Sequence, residues 1–151
     1  MSTMPNTMER MTRDAEQAVG RMPKPISTKT HAMLDYTLGP TLAFMPEAFG
    51  FPRSGAATVP ARAVGATSMA YSMMTRYELG LYPMISMKQH LILDAITGGV
   101  LAASPWLFGF KDYRKRSWLP HVLFAAVETA IVMFSRTQSK PTVSQRAGWS
   151  T

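Results

Sequence analysis

The chain has 151 residues, enough for one ordinary domain, and no cysteine, which excludes disulfides, thiolate nucleophiles and Cys-ligated zinc or iron–sulfur centres. Charged residues make up 17%, against about 25% in a typical soluble domain, while the apolar set stands at 46%. Sixteen Lys and Arg against nine acids give a net charge of +7, which suits an anionic partner such as phospholipid headgroups; no groove-reading motif accompanies the charge, so nucleic acid is not expected.

In chain order, residues 1–25 form a polar arm. Met1 to Lys24 lacks a basic stretch followed by an apolar core and a small-residue cleavage site, so no secretory signal is expected. Within it Met8, Met11, Ala15, Val19 and Met22 recur at three and four residues opposite Glu9, Arg13 and Glu16. That is the pattern of a short helix lying on a membrane or a partner, with a frayed arm as the alternative. Ala32 to Phe51 carries Asp35 and Glu47, and Ala56 to Met74 carries Arg62, so neither stretch alone reads clearly as a membrane span. Leu91 to Phe110 is twenty residues with one charge, long enough at about 1.5 Å per residue to cross a ~30 Å hydrocarbon core. Lys111, Arg114, Lys115 and Arg116 follow as a basic loop suited to anionic headgroups. Trp118 to Phe134, seventeen residues with one acid, is a second span, and a polar tail expected to be disordered covers 137–151. The near-zero mean hydropathy averages in the arm and tail; a soluble helical bundle is the competing class.

An internal repeat supports the two doubtful stretches. At an offset of 59, Ile26 to Phe51 aligns with Ile85 to Phe110, with identities that include Ser27/Ser86, His31/His90, Asp35/Asp94, Gly39/Gly98, Pro46/Pro105, Gly50/Gly109 and Phe51/Phe110. Offset 60 then aligns Pro60 with Pro120, Ala66 with Ala126 and Arg76 with Arg136. The expected architecture is therefore an all-α, integral membrane four-helix bundle made of two tandem helical hairpins, 26–77 and 85–136. Ser27 and Ser86 are expected N-caps, with Ser86 and Gln89 forming a capping box. Pro60 and Pro120 suit first turns. Arg76 and Arg136 suit helix ends at headgroup level, and Gly39 and Gly98 suit close backbone approach.

Ser104, Pro105 and Trp106, late in the first helix of a hairpin unit, resemble the signature tripeptide of the SPW repeat family of small bacterial and archaeal membrane proteins. The resemblance spans roughly Ile26 to Arg136. It implies an integral membrane protein of paired helices and no particular activity. The first unit has Met45, Pro46 and Glu47 at the matching positions, so only the proline is kept. Physically, Trp106 suits a headgroup-level ring and Pro105 a kink or helix end.

The residues most suggestive of chemistry are His31 with Asp35 and His90 with Asp94, each pair spaced i,i+4 on one helix face. Counted from the serine caps, each His lies about 6 Å and each Asp about 12 Å into its helix, so the groups should face the bundle interior and find partners. Three readings stand open: a structural lock between the hairpins, proton or ion handling, and ligation of haem or a pigment by His31 and His90. Glu128 breaks the symmetry, because Ser68 stands at the matching place. Its depth places it near Asp94, where it is expected to be protonated and bonded to Asp94 and His90. Arg62 is expected to snorkel to the headgroups in preference to pairing with Asp35. Thirteen methionines read as flexible core filling, not a copper site.

No nucleophile elbow, phosphate-binding glycine loop or His-Glu-x-x-His motif occurs, so no enzyme activity, metal or resident cofactor is expected. The termini and middle loop hold ten Lys and Arg, the other side six, which favours cytoplasmic termini in a bacterial inner membrane. The function read from sequence is a scaffold or accessory subunit of a membrane assembly or homo-oligomer. The alternatives are a haem or pigment redox subunit using His31 and His90, and a proton-coupled carrier using Asp35, Asp94 and Glu128.

Overall fold

The structure is a computed structural model that describes residues 7–21 and 23–138, without the side chains of residues 16 and 19–21. Five helices follow in chain order: α1 (Thr7–Arg21), α2 (Thr28–Ala48), α3 (Gly55–Met73), α4 (Met87–Leu107) and α5 (Lys115–Phe134). No strand occurs among the described residues. Met22, the Val19 side chain and residues 139–151 lie outside that description, so the end of the methionine stripe and most of the expected tail do too. The described part of the stripe, Met8 and Met11, is exposed on α1, where Glu9 and Arg13 pair at 3.8 Å one turn apart.

The helix starts follow from their caps. Ser27 Oγ accepts the Thr30 amide at 3.1 Å, and Ser86 Oγ accepts the Gln89 amide while Gln89 Oε1 accepts the Ser86 amide, completing a capping box. Each such cap contributes about 1 kcal/mol by satisfying amides the helix leaves orphaned. The helix ends explain a second set of matched residues. Gly50 (φ 70°) and Gly109 (φ 68°) turn the chain in the left-handed region beyond α2 and α4. The next residue's amide then reaches back five positions, Phe51 to the Pro46 carbonyl at 2.8 Å and Phe110 to the Pro105 carbonyl at 2.9 Å. With Gly50 donating to Glu47 and Gly109 to Trp106, both ends are Schellman caps, so Pro-x-x-x-Gly-Phe is one terminator written twice.

Beyond these caps the two loops cross the same end of the molecule, where Phe51 and Phe110 are buried with Leu42, Met45, Leu101 and Ala125 in the main apolar cluster. α2 packs chiefly on α3 and α4 on α5, with α3 lying against α4. The α2–α3 contact is closest at two glycines: a Cβ on Gly65 would stand 2.7 Å from the Gly39 carbonyl and 2.9 Å from the Ala43 amide. Small residues allow that approach. Gly98 has a different use, since its open face is covered by the Glu128 side chain, not by a second backbone.

The opposite ends are tied by backbone bonds of matching form. Ile26 donates to Phe134 and accepts from Arg136; Ile85 donates to Met74 and accepts from Arg76. Arg76 and Arg136 also anchor loops through their side chains, onto the Pro83 and Lys24 carbonyls.

Two expectations are corrected and a third gains a partner. Pro60 and Pro120 are each the sixth residue of their helix, in the second turn and not the first, because α3 and α5 begin at Gly55 and Lys115. Lys115 and Arg116 consequently belong to the first turn of α5, leaving Lys111 and Arg114 in the loop; all four side chains are exposed. Arg62, expected at the headgroups in preference to Asp35, does not meet Asp35 and has a partner that was not expected, Glu47, across α2 and α3.

Candidate functional site

The i,i+4 spacing brings His31 over Asp35 on α2 and His90 over Asp94 on α4, and the packing of these helices closes the two pairs on each other. His31 Nε2 lies 3.3 Å from Asp35 Oδ1 and 3.1 Å from Asp94 Oδ2. His90 Nε2 lies 3.1 Å from Asp35 Oδ2 and 3.1 Å from Asp94 Oδ2. The two Nε2 atoms are themselves 3.1 Å apart, with the rings edge to face. Both histidines and Asp94 are buried, and the Asp35 side chain is 12% exposed.

Each ring is oriented from behind by a hydroxyl at the end of a different helix. His31 Nδ1 is 2.7 Å from Ser135 Oγ, and His90 Nδ1 is 2.8 Å from Thr75 Oγ1. Ser135 Oγ donates to the Ile131 carbonyl at 2.6 Å and Thr75 Oγ1 to the Tyr71 carbonyl at 2.7 Å. A hydroxyl has one proton, and here it is committed to the backbone, so each oxygen accepts and each Nδ1 is the N–H donor. The Nε2 atoms are therefore the ring positions turned toward the carboxylates. Behind the carboxylates stand two phenols. Tyr71 donates to Asp94 Oδ1 at 2.7 Å and Tyr77 to Asp35 Oδ2 at 3.3 Å. Burial pushes the Tyr77 phenol above its ordinary 10.0, and the neighbouring Asp35 carboxylate adds to the shift, so Tyr77 remains a donor.

Sequence reasoning named the four central residues and missed these four supports. Thr75 and Ser135 are related by the offset of 60, but a Thr matched to a Ser is not an identity, and both fall just past their helix ends. His121 was missed as well. It lies at the other end, its Nε2 2.8 Å from the Ala57 carbonyl and its ring between Phe51 and Phe110.

Glu128 is placed differently from expectation. No hydrogen bond joins it to Asp94 or His90; its Oε1 takes a long bond of 3.4 Å from Thr97 Oγ1. A cavity of about 30 Å³ is lined by both acids, Glu128 and Asp94, together with His31, Asp35 and Ser68. That volume accommodates a water molecule or two.

Ser104 and Pro105 are buried at the end of α4, where Ser104 Oγ donates to the Leu101 carbonyl at 2.7 Å and the Pro105 carbonyl receives the Schellman bond, while Trp106 is 58% exposed. A family model described as the SPW repeat domain matches residues 29–135. The chain belongs to the SPW repeat family. The SPW tripeptide thus builds a helix end and presents an indole outward. It lies a helix length, about 30 Å, from the serine cap beside the His/Asp cluster. No curated protein and no solved structure matches the chain.

Two helices, Met87–Leu107 and Lys115–Phe134, are long and apolar enough to cross a membrane. Both are mostly unburied, unlike the core helices of a soluble protein. Membership in the family and these two helices indicate a membrane protein.

Proposed function

We propose that this chain is a multi-pass membrane scaffold or accessory subunit, built from two tandem hairpins (α2–α3 and α4–α5) that cross the bilayer four times and are fastened by the His/Asp cluster. The observation that carries the reading is the inversion of a soluble protein's polarity. Met33, Phe44, Val59, Ile92, Ile96, Val100, Leu123 and Val127 face outward at 43% exposure or more, while His31, His90, Asp94, Thr75 and Ser135 are buried. In water that arrangement leaves apolar surface uncovered and polar groups desolvated; in lipid it is the economical one. The doubled design is supported by the paired serine caps, the paired Schellman ends and the crosswise Ile26–Ser135 and Ile85–Thr75 ties.

Exposed Lys111, Arg114, Lys115 and Arg116 fit anionic headgroups on one side, and the excess of basic residues on the other side favours cytoplasmic termini of an inner-membrane protein. The reading assigns no catalytic step. A proton-coupled carrier is the second reading, favoured by the small cavity that Asp35, Asp94 and Glu128 share. Haem held between His31 and His90 fits less well. Two axial bonds of about 2 Å would separate the nitrogens by about 4 Å with a macrocycle between them, against the 3.1 Å found.

Fractionation of cells expressing the full chain tests the proposal. It should remain in the membrane pellet after alkaline carbonate extraction and co-purify with a stoichiometric membrane partner or further copies of itself. A folded monomer in detergent-free buffer would refute it.

A further inference from the structure

We infer that His31, Asp35, His90 and Asp94 form a binding site for a single divalent transition-metal ion of the zinc class. The inference rests on the reading of this cluster as the fastening between the two hairpins, and it gives that fastening an ion. The argument begins with the hydroxyls. Because Thr75 and Ser135 spend their protons on backbone carbonyls, both imidazoles carry N–H on Nδ1, which leaves Nε2 as the one position on each ring open to a proton or a metal, and the two Nε2 atoms lie 3.1 Å apart. Two carboxylates converge on the same point. Four electron-rich groups cannot share a buried space without positive charge among them.

Protons are one source, but one shared proton leaves a net negative cluster, and two give cationic rings whose nitrogens stand 3.1 Å apart. A divalent ion balances two carboxylates and satisfies both lone pairs at once. The spacing suits it. Ligands about 2.0 Å from a tetrahedral zinc lie about 3.3 Å from one another; His31 Nε2, His90 Nε2 and Asp94 Oδ2 are each 3.1 Å from the other two, and Asp35 approaches His31 with Oδ1 at 3.3 Å and His90 with Oδ2 at 3.1 Å. One donor atom from each residue falls within 4.8 Å of every other. The surroundings are those a metal site requires: hydroxyls fix the ring orientation through Nδ1, and the Tyr71 and Tyr77 phenols hold the carboxylates. A small cavity adjoins the cluster. Two imidazoles and two carboxylates, with no thiolate in the chain, select zinc or cobalt(II) over copper(I).

Neither His-x-x-x-Asp pair is a metal motif alone, so spacing within one helix raises no expectation of a metal; the four side chains converge only when α2 and α4 meet.

The full chain, purified in mild detergent and stripped with a chelator, is dialysed against zinc alone and against cobalt(II) alone. The result expected is one equivalent of either metal per chain and the intense visible bands of tetrahedral cobalt(II). Asp94→Asn should abolish those bands. Thr75→Val, which keeps the volume and removes only the acceptor behind His90, should weaken binding about 10- to 100-fold with the tetrahedral spectrum retained on saturation. Glu47→Gln, in the last turn of α2 and away from the cluster, should bind as the unaltered chain does. A folded unaltered chain that takes up no stoichiometric zinc or cobalt, or shows only the weak spectrum of octahedral cobalt(II), overturns the site; that result leaves the scaffold reading standing, which membrane extraction tests separately.

Discussion

Gly65 offers the sharpest test of how α2 and α3 meet. A Cβ there would sit 2.7 Å from the Gly39 carbonyl oxygen, 2.9 Å from the Ala43 amide nitrogen and 3.3 Å from the Ala43 Cα, all backbone atoms that no rotamer change can move. Restoring an ordinary contact of about 3.4 Å requires the helices to part by about 0.7 Å, an overpacking that costs about 1–3 kcal/mol. Alanine's better helix propensity returns about 1 kcal/mol. Gly99 lies in α4 with nothing within 4 Å of the corresponding Cβ, so Gly99→Ala keeps the propensity gain alone. The two variants should therefore differ by about 1–3 kcal/mol, or roughly 3–9 °C in midpoint for a chain of this size. Gly39→Ala should fall between them, because its nearest neighbours are the flexible Cγ and Sδ of Met69 at 2.8 and 2.9 Å. Thermal unfolding in one mild detergent, followed by circular dichroism, reads the order. Gly65→Ala as stable as Gly99→Ala would refute the close helix contact.

Other substitutions test the cluster and the caps. Asp94→Asn removes the carboxylate that accepts from Tyr71 and lies 3.1 Å from Nε2 of both His31 and His90, and breaking such a buried arrangement on one side should cost about 3–5 kcal/mol, measured by denaturant or thermal unfolding. Gly109→Ala forces an L residue to a φ of 68° and should cost about 1–2 kcal/mol, with Gly50→Ala matching it if the two ends are the same device. Tyr77 makes a pH prediction. Its phenol holds its proton more tightly when folded than when unfolded, so its contribution is complete below pH 10 and is lost as pH rises beyond that; Tyr77→Phe should flatten this alkaline loss, measured as stability against pH for both chains.

The sequence was most legible where the same chemistry is required twice. Ser27 and Ser86 cap, Gly50 and Gly109 turn, and His31/Asp35 and His90/Asp94 face inward because each hairpin solves the same local problem with the same residues. It was least legible where a partner comes from elsewhere in the chain. Tyr71, Thr75, Tyr77 and Ser135 carry no motif spacing relative to the carboxylates and histidines they support, being brought there by helix ends that the alternation of apolar residues does not fix. Glu128 shows the limit of reasoning from depth: an estimate along the helix axis brought it level with Asp94, but the rotation of α5 set it over Gly98 with Thr97 as its donor. Arg62 likewise met Glu47 because two antiparallel helices bring the end of one beside the start of the next. The starts of α3 and α5 were misplaced because Gly55 and Lys115, small or charged, read as loop while the helix already runs through them.

The absence of cysteine from the chain makes single-cysteine labelling the most direct test of the lipid-facing exterior. Ile96→Cys, Leu123→Cys and Val127→Cys replace outward side chains that are 56%, 55% and 49% exposed, whereas Asp112→Cys and Thr137→Cys lie past the helix ends on opposite sides. In sealed membranes of known orientation, a water-soluble maleimide should label Asp112→Cys and Thr137→Cys from opposite faces and leave the three helix positions untouched until the protein is denatured. Labelling of Ile96→Cys, Leu123→Cys and Val127→Cys at the rate of the loop positions would place those helices in water and contradict the account.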